Sequence, residues 1–155
     1  MSPLPRSKCQ AINIIALVDD DPHDRELFLD AVNGLENHPD ILQFENGCAF
    51  LDYLKGQNEN LPNLIFLDLN MPIMGGIECL KELRALEGVD GLPVVIYSTS
   101  SSMHHIDEAY SLGADLYTTK PHDFANLKKC ISEILQMGMD GRIKNPTQET
   151  FKFKI

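Results

Sequence analysis

The stretch Leu64-Ile65-Phe66-Leu67-Asp68-Leu69-Asn70-Met71-Pro72 decides the fold of this chain. Its apolar run has the character of a strand buried on both faces, as strands are in a parallel sheet. A carboxylate at the mouth of such a strand is costly unless something pairs with it. Open α/β sheets place their ligand sites just beyond the carboxyl ends of the strands, which is where Asp68 falls. Asp68 is therefore a candidate functional residue, and the rest of the chain can be searched for its partners.

Two partners end an earlier apolar run. Ile12-Asn13-Ile14-Ile15-Ala16-Leu17-Val18 leads into Asp19-Asp20-Asp21-Pro22. If both runs are parallel strands of one sheet, Asp19, Asp20 and Asp68 converge on one edge. Carboxylates so close drive one another toward the protonated form unless a cation shields them. All-oxygen ligation favours magnesium over zinc or copper. Asp21 is better explained as a helix N-cap, with Pro22 as the first helical residue and Asp24 in the first turn.

Two further strand ends supply complementary groups. Leu92-Pro93-Val94-Val95-Ile96-Tyr97 runs into the hydroxyl cluster Ser98-Thr99-Ser100-Ser101-Ser102, and Leu116-Tyr117-Thr118-Thr119 runs into Lys120-Pro121. The successive strand ends thus carry a cation site, a nucleophile, a hydrogen-bond donor and a fixed positive charge. These are the components of phosphoryl transfer onto a carboxylate: metal and lysine neutralise the equatorial oxygens while the carboxylate attacks in line.

With these motifs in place, the chain resembles a response regulator receiver domain, of the stand-alone, chemotaxis-regulator-like type. The resemblance rests on Val18-Asp19-Asp20-Asp21, on Phe66 through Gly76, on Val95-Ile96-Tyr97-Ser98 and on Tyr117-Thr118-Thr119-Lys120-Pro121, and covers residues from about 11 to 137. It implies that Asp68 is the phosphoacceptor, charged by a sensor histidine kinase or phosphotransfer protein. Asp20 would ligate Mg2+ directly, Asp19 directly or through water, and Asp68 and the backbone carbonyl of Asn70 would complete the protein ligands. Lys120 would pair with the phosphoryl oxygens and Ser98 would donate a hydrogen bond to them. Tyr117 matches an aromatic switch position whose ring turns inward on activation. The Lys120–Pro121 bond is commonly cis in such domains, an isomer realistic only before proline. The resemblance implies no enzyme in the usual sense, only self-catalysed phosphoryl transfer and dephosphorylation. A downstream protein would read the face of the fourth helix, fifth strand and fifth helix. Thr99 stands where the family usually has a very small residue, which narrows access to the site, and His122 stands where many relatives have phenylalanine.

Composition agrees with this reading. At 155 residues a single domain with a real core is expected. A formal charge of −10 argues against non-specific nucleic-acid binding. No apolar run approaches a membrane span, and the start of the chain lacks a signal-peptide layout. The scattered Cys9, Cys48, Cys79 and Cys130 lack metal or redox spacing and read as reduced residues of a cytoplasmic protein. A monomer or weak homodimer is expected.

Strand and helix patterns alternate five times, which predicts an α/β fold: a doubly wound five-stranded parallel sheet of flavodoxin-like order 2-1-3-4-5, with the site between strands 1 and 3. Helices are predicted over about 22–34, around Phe50-Leu51-Leu54 up to Gly56, around Ile77-Leu80-Leu83-Arg84, over about 103–112 with Gly113 as cap, and over about 123–137. Pro72 and Gly75-Gly76 predict a turn with permissive backbone. Residues 1–9 are expected to be disordered, 10–139 to form the receiver domain and 140–155 to be a tail outside it. The tail is expected to fray; the alternation Phe151-Lys152-Phe153-Lys154-Ile155 is the alternative, a short strand adding to a sheet edge in a partner or second copy. Adjacent His104 and His105 cannot easily face one ion and are read as solvent- or partner-facing.

Other functions fit less well. A phosphatase with an Asp nucleophile would want a second acid where Asn70 stands. A flavin-binding module would need a phosphate cradle where Asp19-Asp20-Asp21 would repel phosphate. A phosphorylation-independent interaction module on the same fold is the remaining alternative.

Overall fold

A computed structural model describes residues 11–56 and 59–153. The expectation of a disordered stretch at 1–9, Cys9 included, lies outside the described residues. Five strands, β1 (Ile14–Val18), β2 (Asp40–Phe44), β3 (Leu64–Leu67), β4 (Val94–Ser98) and β5 (Leu116–Thr119), form one sheet in the order β2-β1-β3-β4-β5. Every pairing is parallel. Between and after the strands lie α1 (Pro22–Asn33), α2 (Gly47–Gly56), α3 (Gly76–Ala85), α4 (Met103–Ser111) and α5 (Phe124–Met139), and a short turn of helix, α6 (Gln148–Phe151), closes the described chain.

The strands alternate their side chains between two apolar layers, which is why β3 and β4 are buried throughout. Ala16, Val18, Ile65, Leu67, Val94 and Ile96 pack with residues of α2, α3 and α4, including Phe50, Leu80 and Ile106. Ile15, Leu17, Leu64, Phe66, Val95 and Tyr97 pack with α1 and α5 through Phe28, Val32, Leu127 and Ile131. Phe28, Phe66 and Tyr97 meet edge to face, with centroids 4.9–6.0 Å apart. Helix α1 buries Phe28, Ala31 and Val32, while Leu27 and Leu35 pack at the margin. Register aligns Val18 with Leu67 and Leu67 with Ile96, so the residues just past these strands share one sheet edge.

The helix caps follow the local sequence. Asp21 caps α1 by accepting hydrogen bonds from the N–H groups of His23 and Asp24, with Pro22 in the first turn. Gly113, at φ 93°, follows the end of α4, where its N–H donates to the Tyr110 carbonyl.

Three expectations are corrected. The permissive backbone of the β3–α3 loop is not at the glycines: Gly75 has φ −71°, and the positive φ of 69° belongs to Ile73. Gly76 is required for space instead, because a Cβ there would lie 2.3 Å from the Asp68 carbonyl oxygen. No peptide bond is cis among the described residues, so Lys120–Pro121 is trans, the lower-energy isomer even before proline.

The third correction concerns the tail, which does not fray over its described length. Ile143 and Phe151 are buried. Phe151 packs edge to face on Tyr110 at 5.2 Å and lies 6.2 Å from Tyr117. Lys152 bridges Tyr117 in parallel, and the Phe153 N–H donates to the Tyr117 carbonyl at 2.8 Å. The predicted strand tendency is thus satisfied against β5 of the same chain, and a helical turn capped by Thr147 precedes it. Two phenylalanines that would otherwise remain wet supply the driving force.

Candidate functional site

Asp19, Asp20 and Asp68 come together at the carboxyl edge of β1 and β3. One carboxylate oxygen from each lies within 4.8 Å of the others. The backbone sets this convergence: the Asp68 N–H donates to the Val18 carbonyl at 3.0 Å, and the Asp19 N–H to the Phe44 carbonyl at 3.0 Å. Asp19 and Asp68 are buried, while Asp20 is more open to solvent. One oxygen of Asp19 accepts the Asp21 N–H at 3.0 Å, and the other accepts Lys120 Nζ at 2.8 Å. Three hard oxygen donors on one edge fit a divalent cation, with Asp20 and Asp68 carrying the freest oxygens.

Lys120 reaches in from the end of β5, anchored by its N–H to the Ser98 carbonyl at 2.7 Å. Its ammonium lies 2.8 Å from Asp19, 2.8 Å from Asp24 and 3.5 Å from Asp68. It also stands 5.2 Å above the Tyr97 ring. Burial alone would pull the lysine toward neutrality, but hydrogen bonds to Asp19 and Asp24 and the nearby carboxylate charges outweigh it, and its pKa is raised. Burial pushes the Asp68 carboxyl up to about 6; Lys120 opposes the rise, Asp19 adds to it, and the Asn70 N–H opposes it. That N–H donates to Asp68 Oδ1 at 3.2 Å, folding the Asn70 backbone over the site.

Ser98 is fully buried, and its Oγ accepts the Ser100 N–H at 3.1 Å. Thr99 is exposed. Tyr117 lies inward, its hydroxyl donating to the Ser100 carbonyl at 2.8 Å. Met71 packs inside, whereas Met103 is exposed at the start of α4. His104 is exposed, as expected, but His105 is not a free surface residue: it is half-buried, with Nδ1 2.6 Å from Ser100 Oγ. Cys79 and Cys130 are buried, and burial pushes the Cys79 thiol up to about 12, which makes it inert.

Several site contacts are not among the sequence expectations. Asp24 joins the Lys120 cluster although its position is explained equally well as a first-turn acid. Tyr97 floors the cluster from inside β4. Arg25 braces Asp19 by donating from Nη1 to its carbonyl at 2.6 Å. Asp24 and Arg25 follow the acidic triplet within one helical turn, and that spacing is the only signal that points to them.

The sequence profile of the response regulator receiver domain matches residues 15–132. The chain belongs to the response regulator receiver family. Response regulator Rcp1 of Synechocystis sp. is 30% identical over 125 residues, which are 78% of this chain and 85% of Rcp1. The phosphorylated cyanobacterial phytochrome response regulator RcpA superposes with a TM-score of 0.76 at 28% identity, covering 84% of this chain and 96% of RcpA. The Mn(2+)-bound form of Rcp1 superposes with a TM-score of 0.70 at 27% identity, covering 87% of this chain and 97% of that one. Receiver domains act in two-component signalling with histidine kinases or phosphotransfer proteins. Among the described residues, no helix is long and apolar enough to cross a membrane.

Proposed function

We propose that this receiver domain takes a phosphoryl group from the phosphohistidine of a sensor kinase or phosphotransfer protein onto Asp68, and thereby changes its preference for a downstream protein. The observation that carries this is the Lys120 ammonium 3.5 Å from Asp68 Oδ2, beside three converging carboxylates. An Asp68 oxygen attacks phosphorus, the P–N bond of the donor breaks, and the bonding pair leaves with the imidazole, giving an acyl phosphate. Asp20, Asp68 and the Asn70 carbonyl would hold Mg2+, with Asp19, already engaged by Asp21 and Lys120, assisting through water. The ion, when bound, neutralises charge on the transferred group. Lys120 pairs with the phosphoryl oxygens and Ser98 donates to one of them. The chemistry is the chain's own, in transfer and in hydrolysis, with no other substrate turned over.

The charge added at Asp68 draws Ser98 and its loop inward, and the Ser100 carbonyl, which holds the Tyr117 hydroxyl, moves with them. Ser98 and Tyr117 therefore form the switch, and the α4–β5–α5 face reports its state. Such a switch is a population shift biased by a local electrostatic event. Asp68→Asn is expected to abolish labelling by acetyl phosphate with Mg2+ while the circular dichroism spectrum is retained; labelling that survives the substitution refutes the assignment. Lys120→Ala is expected to weaken the phosphorylation-driven change more than Mg2+ affinity.

A phosphorylation-independent interaction module is the second reading. Tyr117, held by Ser100 on one side and covered by Phe151 on the other, has less room to turn than a switch residue with a free face. Failure to bind beryllofluoride in the presence of Mg2+ would favour that reading.

A further inference from the structure

Lys120 bonds an acid on α1, Asp24, at 2.8 Å and stands farther, at 3.5 Å, from Asp68. Its ammonium has three N–H donors. Two are committed at 2.8 Å, to Asp19 and to Asp24, and the approach to Asp68 is the longest of the three at 3.5 Å. Asp19 belongs to the acidic cluster, whereas Asp24 lies outside it. The Asp24 side chain is 29% exposed, so its charge does not require Lys120 for solvation. Nor is Asp24 needed as the cap of α1, because Asp21 already serves that end. Its position in the first turn of a helix that follows directly on the β1 edge lets its carboxylate reach across to Lys120 at the end of β5.

We propose that Asp24 is a positioning residue that tethers Lys120 away from Asp68 and is released when a phosphoryl group arrives. This inference rests on the receiver reading above. A phosphoryl group on Asp68 offers Lys120 additional anionic oxygens. To pair with them fully, the ammonium gives up part of its bond to Asp24, so the tether opposes the phosphorylated state. The opposition is set by a partly exposed ion pair, which corresponds to about a fivefold change in an equilibrium constant. Asp24 thereby tunes how readily the site accepts its charge, without touching the phosphoryl group.

The test is equilibrium binding of beryllofluoride, a stand-in for the phosphoryl group, at saturating Mg2+, followed by 19F NMR. Four proteins are compared: the unsubstituted chain, Asp24→Asn, Lys120→Gln and the double variant. Asp24→Asn is expected to bind about fivefold more tightly than the unsubstituted chain. In the Lys120→Gln background the same substitution is expected to change affinity less than about twofold, because there is no ammonium left to tether. Equal or weaker binding by Asp24→Asn overturns the proposal. So does an equal gain with and without Lys120, which would mean that Asp24 merely repels the anion through space. An unsubstituted chain that binds no beryllofluoride refutes the receiver function itself, and the tether with it. Binding by the unsubstituted chain with no gain in Asp24→Asn refutes the tether alone.

Discussion

Replacing Asp68 with asparagine should make the metal-free protein more stable. Burial pushes the Asp68 carboxyl up to about 6, against an ordinary value of 3.8. The folded protein therefore binds this proton more tightly than the unfolded chain does. The Asp68 contribution to stability falls as pH rises above 3.8, and its loss is complete once pH passes 6. A difference of about two pKa units corresponds to about 3 kcal/mol. Asparagine is isosteric, stays neutral and still accepts the Asn70 N–H. Lys120 keeps its two shorter bonds, to Asp19 and Asp24, when the third contact loses its charge. Urea denaturation in EDTA at pH 7.5 should show Asp68→Asn more stable by about 2–3 kcal/mol. At pH 4.5 the gain should shrink to about 1 kcal/mol, because the native Asp68 is then mostly protonated. Excess Mg2+ should narrow the difference at pH 7.5 by binding the unsubstituted native state more tightly. A destabilised Asp68→Asn protein, or a gain that does not change with pH, would refute the reasoning.

Three further substitutions probe the loop and the tail. Ile73 is 87% exposed, with φ 69° and a hydrogen bond from the Met74 N–H back to the Pro72 carbonyl at 2.7 Å, a γ-turn that strains a β-branched residue. Ile73→Gly should therefore stabilise by about 0.5–1 kcal/mol in thermal or urea unfolding, and a loss would show that the strain is not there. Gly76→Ala should cost about 2 kcal/mol or more and slow labelling of Asp68, because the new methyl meets the Asp68 backbone; unchanged stability with unchanged labelling contradicts the close approach. Phe151→Ala should cost about 2 kcal/mol, less than for a residue fixed deep in the core because a terminal segment can detach, and the Phe153 amide should lose hydrogen-exchange protection.

The parallel sheet was legible because β3 and β4 are buried on both faces and so read as unbroken apolar runs. The strand ends were legible because a charge directly after such a run is costly to keep there without a partner. Asp24 was not, since an acid in the first turn of a helix is already accounted for by the helix dipole, and only tertiary structure brings Lys120 to it. The strain at Ile73 was hidden because the neighbouring glycines are the usual carriers of positive φ. The tail shows a different limit. Alternating Phe and Lys signal strand tendency, but the signal does not say which edge satisfies it. Here β5 of the same chain does, and Phe151 fills the space beside Tyr117 and Tyr110. His105, expected to face solvent or a partner, instead contacts Ser100, and nothing in the sequence announces that contact.

The most direct measurement is the chemical identity of the group formed after exposure to a phosphohistidine-bearing phosphotransfer protein or to acetyl phosphate with Mg2+. Borohydride reduction of an aspartyl phosphate leaves homoserine, which tandem mass spectrometry can place in the chain. Homoserine at position 68, dependent on Mg2+ and sharply reduced in Lys120→Ala, is the expected result. A phosphoryl group on Ser98, on a histidine or on another carboxylate, with position 68 unchanged, would contradict it.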